Sequence, residues 1–140
     1  MGSYIQSIGS FALCGWLSEG NTMVESCIDE KALEVLKELG GVGFVIQMID
    51  VFLAYVPKVL VEARNGLAEG NLEPVVRMGH SLRSSGRNIG AQKLVELAQI
   101  VESAGRAGQL ITLPVLLDQV EEAFLQAKGC LEEIKTRLLS

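Results

Sequence analysis

Toward the C-terminus the apolar residues Leu113, Leu117, Val120, Phe124, Ala127, Leu131, Ile134 and Leu138 follow one another at intervals of three or four positions. At about 100° per residue this spacing lays them along one stripe of a helix, whereas a strand would send alternate residues to opposite faces. A stripe of that length needs other helices to cover it. Three more segments supply them: Val45, Ile49, Phe52, Val56, Val59, Ala63 and Leu67 within about Phe44 to Ala68; Val75, Met78, Leu82, Gly86 and Ile89 within about Leu72 to Asn88; and Leu94, Leu97, Ala98, Val101 and Ala104 within about Ala91 to Ala107. The connections between them are short, so neighbouring helices run antiparallel. The expectation is an all-α fold, an up-down antiparallel four-helix bundle with a short additional N-terminal helix.

The punctuation agrees with this pattern. Asp29 is placed to cap a short helix reaching about Leu39, with Ile28 and Leu33 as a hydrophobic staple and Gly40-Gly41 as its end. Pro57 removes the hydrogen bond its N–H would give to the carbonyl of Leu53, which predicts a bend or break near Tyr55-Val56. Glu69-Gly70-Asn71 marks a turn, and Thr112 with Pro114 reads as the cap and first turn of the last helix. Residues 1–22 hold a single charge, Glu19, and are rich in Gly and Ser, so they read as a leader or loosely docked extension before a bundle spanning 23–140.

At 140 residues the chain is long enough for one domain with its own core, so folding requires neither a disulfide nor a metal. No run approaches the roughly 18 uninterrupted apolar residues of a membrane span. A net charge of −5 argues against general nucleic-acid binding. Cys14, Cys27 and Cys130 are an odd set without CxxC spacing, and His80 is the sole histidine, so no zinc site is expected and a reducing, cytoplasmic setting is.

P-loop, HExxH, GxSxG and EF-hand patterns are all missing, and the glycines at 40, 41 and 43 lack the preceding strand of a nucleotide fingerprint. Attention therefore falls on His80. It lies about 160° around its helix from Leu82, on the side away from the core stripe, which leaves an incidental surface histidine or a functional one. Arg83, Ser84 and Arg87 follow it along the same side, with Val76 one turn before. Between Pro74 and Val95 there are four basic residues, Arg77, Arg83, Arg87 and Lys93, and no acidic one, inside a protein that is acidic overall. Such a one-signed patch around an exposed imidazole suits an anionic group or partner.

His80-Ser81-Leu82-Arg83-Ser84-Ser85-Gly86-Arg87-Asn88-Ile89-Gly90-Ala91-Gln92-Lys93-Leu94 resembles the signature of histidine phosphotransfer (HPt) domains. Phe52 to Pro57, Leu67 to Asn71 and Glu102 to Gly108 resemble further parts of bacterial members, so the likeness extends over about Asp29 to Leu138. The resemblance implies a phosphorelay carrier rather than an enzyme. In that reading His80 accepts a phosphoryl group from the aspartate of a response-regulator receiver domain and passes it to another receiver. Arg83, at the position of the family's lysine, and Arg87 would stabilise the phosphoryl group or dock the receiver, with Ser84, Val76 and Met78 bordering the docking patch. Gly90 would be a structural turn residue.

Glu102 falls where some members carry a polar residue that orients the histidine, and it equally fits an ion pair with Arg106 four residues on. Ser84 replaces the usual glycine, which keeps a phosphotransfer-silent receiver-binding module as the alternative. The implied partners are receiver domains and a sensor histidine kinase, hybrid or not, with neither nucleic acid nor membrane. No cofactor of its own is implied, Mg²⁺ being expected from the receiver, and the carrier is expected to be a cytoplasmic monomer.

Overall fold

The structure, a computed structural model, describes residues 27–140; the leader read at residues 1–22 lies outside them, as does Cys14. Four helices follow one another: α1 (Glu30–Ala68), α2 (Glu73–Ile89), α3 (Gln92–Arg106) and α4 (Leu113–Leu139). Each packs on its sequence neighbour, and α4 closes the ring against α1. Ion pairs fix the direction of that closure. Arg64 near the end of α1 binds Asp118 and Glu121 near the start of α4, while Glu30 at the start of α1 meets Arg137 at the end of α4. The two helices are therefore antiparallel. The all-α bundle expected from the apolar stripes is the fold observed.

The stripes themselves form the core. Val45, Ile49, Phe52, Val56, Val59 and Ala63 of α1 are buried, as are all five predicted positions on each of α2 and α3, and Leu113 through Ile134 of the α4 stripe; Leu67 and Leu138 are half-buried at its ends. Ile28 and Leu33 are both buried, as a staple requires, and the carboxylate of Asp29 accepts a hydrogen bond from the backbone N–H of Lys31 at 3.1 Å. Cys27 and Cys130 lie half-buried against this core. Burial, reinforced by contact with Cys27, pushes the Cys130 thiol up to about 12.

Three local expectations need correction. The short N-terminal helix and the long one are joined at a sharp joint rather than a loop: Gly41 alone leaves helical geometry within α1, at φ 85° and ψ −178°, a conformation that glycine reaches without a Cβ penalty. Pro57 does not break α1. Its ring is on the exposed side, the backbone stays helical through it, and buried Val56, Val59 and Leu60 hold the turns on either side to the bundle. Thr112 does not cap α4 with its side chain; its Oγ1 donates instead to the carbonyl of Gln109 at 3.2 Å.

Within α1 one 18-residue window reaches a mean hydropathy of 1.8, so this helix is long and apolar enough to cross a membrane. In the bundle its apolar stripe is core, and its charged residues Asp50 and Arg64 pair with α4. Only 22% of that window is buried in the bundle, and Val51 and Val61 of this helix are exposed, so much of its apolar character lies on the outer face.

Candidate functional site

The site is built where α2 and α3 pack backbone against backbone. Gly79, immediately before His80, makes that approach possible. A Cβ placed on it would stand 2.8 Å from the carbonyl oxygen of Ala98, 2.8 Å from the backbone nitrogen of Glu102 and 2.9 Å from the Cβ of Glu102. The helices thus touch backbone to backbone at this level, which carries Glu102 of α3 under His80 of α2. Gly86, two turns on, is packed against Val95, and Gly105 against Val76, so the same small-residue contact runs along the pair. Gly86 is buried on the core face, where a side chain would collide with Val95, and Val76 is half-buried in the α2–α3 seam.

At the end of α2, Gly90 adopts φ 86°, the left-handed conformation expected of a turn glycine. Its carbonyl accepts a 2.8 Å hydrogen bond from the backbone N–H of Asp29. That bond ties the start of α1 to the end of the His80 helix.

His80 is exposed, with 74% of its side chain open to solvent, and Glu102 is buried, with 7%. The Nδ1 of His80 lies 3.5 Å from Oε2 of Glu102, within ion-pair range and longer than a good hydrogen bond. Two guanidinium groups complete the arrangement. Nη1 of Arg83 donates to Oε1 of Glu102 at 2.7 Å, and Nη2 of Arg106 donates to Oε2 at 2.7 Å. Of the two sequence readings of Glu102, the ion pair with Arg106 is present, and the carboxylate also lies beside His80 without a good hydrogen bond to it.

The hydrogen bonds from Arg106 and Arg83 outweigh burial and hold the Glu102 carboxyl at about 2, well below its ordinary 4.5. It is an anion at any pH near neutrality. Because its pKa is lowered on folding, the stability it contributes is fully present above about pH 4.5 and is lost as the pH falls toward 2. Glu102→Gln should accordingly be less stable than wild type at neutral pH by about 1–3 kcal/mol, with a difference that narrows between pH 4.5 and 2. Urea unfolding at a series of pH values reads this directly, and a constant difference across the window would contradict the assigned role of the carboxylate.

The other predicted residues divide. Ser84 is exposed beside His80, one turn further along α2. Arg83 is in the cluster, yet it is engaged by Glu102 and only 31% exposed rather than standing free. Arg87 is exposed but lines a separate cleft with Asp29, Gly90, Gln92 and Glu96, away from Glu102. Met78 cannot border a docking patch: it is 1% exposed, in the core where its helical position puts it. The basic patch is also less one-signed than α2 alone suggested, since Glu102 reaches it from α3. Gly79 and the full part played by Arg106 were missed. The seven-residue spacing of Gly79 and Gly86 was the available signal for a close helix approach. Among the described residues no group of three or more His, Cys, Asp or Glu side chains is arranged to hold a metal.

Comparison with known proteins bears on this geometry. The family model of the Hpt domain matches residues 47–136, which include α2, α3, His80 and Glu102. The chain belongs to the Hpt domain family. It is thereby placed among histidine phosphotransfer carriers, which work with receiver domains and kinases of two-component relays. Among solved structures, the Hpt fold here is similar to the histidine-containing phosphotransfer protein B (HptB) of Pseudomonas aeruginosa PAO1, with a TM-score of 0.74 and 22% identity over 79% of this chain and 96% of that one. At that identity the likeness is one of fold. No curated protein sequence matches significantly.

Proposed function

We propose that this Hpt domain is a phosphorelay carrier in which His80 takes a phosphoryl group from the aspartate of one receiver domain and delivers it to that of another. The observation that carries the reading is the pairing of an exposed imidazole with a buried, ionised carboxylate on the side of Nδ1. A carboxylate there favours the tautomer with the proton on Nδ1, which leaves the Nε2 lone pair directed to solvent, where a receiver can present its phosphoryl group.

Phosphoryl transfer demands positioning and charge neutralisation more than covalent machinery. In this reading the ring is aimed by Glu102, and the guanidinium groups of Arg83 and Arg106 set the local potential. Arg77 and Arg87, exposed on the same helix, favour the acidic face of a receiver. Ser84 and the exposed edge of Val76 border that contact. The Mg²⁺ that serves such a reaction belongs to the receiver's acidic site, since the residues around His80 are mainly cations. The protein works in the cytoplasm as a monomer, with a sensor kinase or hybrid kinase upstream.

A two-step relay tests the proposal. The full chain is mixed with a panel of phosphorylated receiver domains and Mg²⁺, then passed to an unphosphorylated second receiver. Label should move onto the chain and onward. Receivers that bind the chain and never label it would replace the carrier reading with the phosphotransfer-silent module.

A further inference from the structure

The Oε2 atom of Glu102 is shared. It lies 2.7 Å from Nη2 of Arg106 and 3.5 Å from Nδ1 of His80, so an arginine and an imidazole converge on one oxygen. Arg83 takes the other oxygen at 2.7 Å. The remaining charged group of α2 within one turn of His80 is Arg77, which faces Glu73 at 4.0 Å. From α3, Glu102 and Arg106 are the charged groups at this level. The arginine that competes with His80 for the same atom is therefore Arg106, whose side chain is 64% exposed and reaches Glu102 from the following turn of its own helix.

That competition has a chemical consequence. In the transfer step the Nε2 lone pair forms the N–P bond while the P–O bond to the receiver aspartate breaks, the electron pair leaving on the aspartate carboxylate. The ring's proton stays on Nδ1, and the positive charge gained by the ring is met by Oε2 of Glu102. A ring already protonated at both nitrogens has no lone pair to give. A carboxylate beside an imidazole favours that unreactive form unless its own charge is partly engaged elsewhere.

We propose that Arg106 is a positioning residue for His80: by pairing with the carboxylate oxygen that faces the imidazole, it weakens that oxygen as a proton acceptor and keeps the ring a neutral nucleophile. The inference rests on His80 being the attacking group, and its principal test requires no phosphotransfer.

Because His80 is the sole histidine, its titration is read cleanly by NMR of the full chain. Arg106→Ala should move the titration midpoint of the ring upward by about half a unit to one unit, through loss of the competing cation, and Arg106→Lys should stay near wild type. In a Glu102→Gln background the same Arg106→Ala change should produce less than half of that shift. The acid limb of the transfer rate should move upward with the midpoint, so that Arg106→Ala loses rate on the acid side and matches wild type well above its midpoint. An unmoved or lowered midpoint in Arg106→Ala, or an equal shift with and without the Glu102 carboxylate, overturns the proposal. Failure of every receiver to label wild type would instead remove the carrier reading while leaving the titration result standing.

Discussion

His80→Gln should fold as wild type does and accept no phosphate from any receiver that labels the parent protein. The side chain is largely in solvent and makes no good hydrogen bond, so the change in stability should stay within about 0.5 kcal/mol. Glutamine keeps polarity and approximate size but has no lone pair able to form a phosphoramidate at neutral pH, so the loss of transfer should be complete within detection. Receiver binding, followed by calorimetry, should persist, because the basic flank of α2 is untouched. A variant that unfolds would mean that the imidazole is structural, and a variant that still carries label on another residue would place the chemistry elsewhere.

The second large effect concerns a residue with no functional group. On an exposed helical surface Gly→Ala stabilises by up to about 1 kcal/mol. At Gly79 the sign should reverse, because the added methyl meets the backbone of Ala98 and Glu102, which cannot move aside as a flexible side chain would. Gly79→Ala should cost about 1–3 kcal/mol net, and Gly79→Val more. Forcing α2 and α3 apart also withdraws Glu102 from His80, so the surviving folded fraction should transfer more slowly than wild type. Urea midpoints and single-turnover transfer rates measure the two consequences separately. A stabilised Gly79→Ala would show that the helices do not meet at this level.

These two residues mark what was legible in the sequence. The bundle was, because burying a helix face imposes a period of three to four, and the stripes of α2, α3 and α4 carry it without interruption. His80 was legible as an outward-facing residue by the same periodicity, and Gly90 as a left-handed terminus by its place after the last periodic residue. The reach of Arg83 from α2 to Glu102 on α3 was not, although the Glu102–Arg106 pair within α3 was. That reach depends on the distance between two helix axes, which is set by Gly79 against Ala98 and Glu102, and no spacing within either helix reports that distance.

Pro57 shows the opposite failure. Of the bend or break that local chemistry predicts, the break does not occur: the buried residues flanking the proline hold the helix intact because tertiary packing outweighs one missing hydrogen bond. Met78 was placed in two incompatible roles, and its helical phase with Val75 and Leu82 decides for the core.

The central claim is that the exposed nitrogen of His80 carries the phosphoryl group. The most direct measurement is to phosphorylate the full chain from a receiver domain, digest it under alkaline conditions, and locate the phosphate by fragment mass spectrometry, with ³¹P–¹H NMR to distinguish the two ring nitrogens. One phosphoryl group, acid-labile and base-stable, bound to Nε2 of His80 is the predicted result. Phosphate on a serine such as Ser81, Ser84 or Ser85, on a carboxylate, or on Nδ1 of His80 would contradict it.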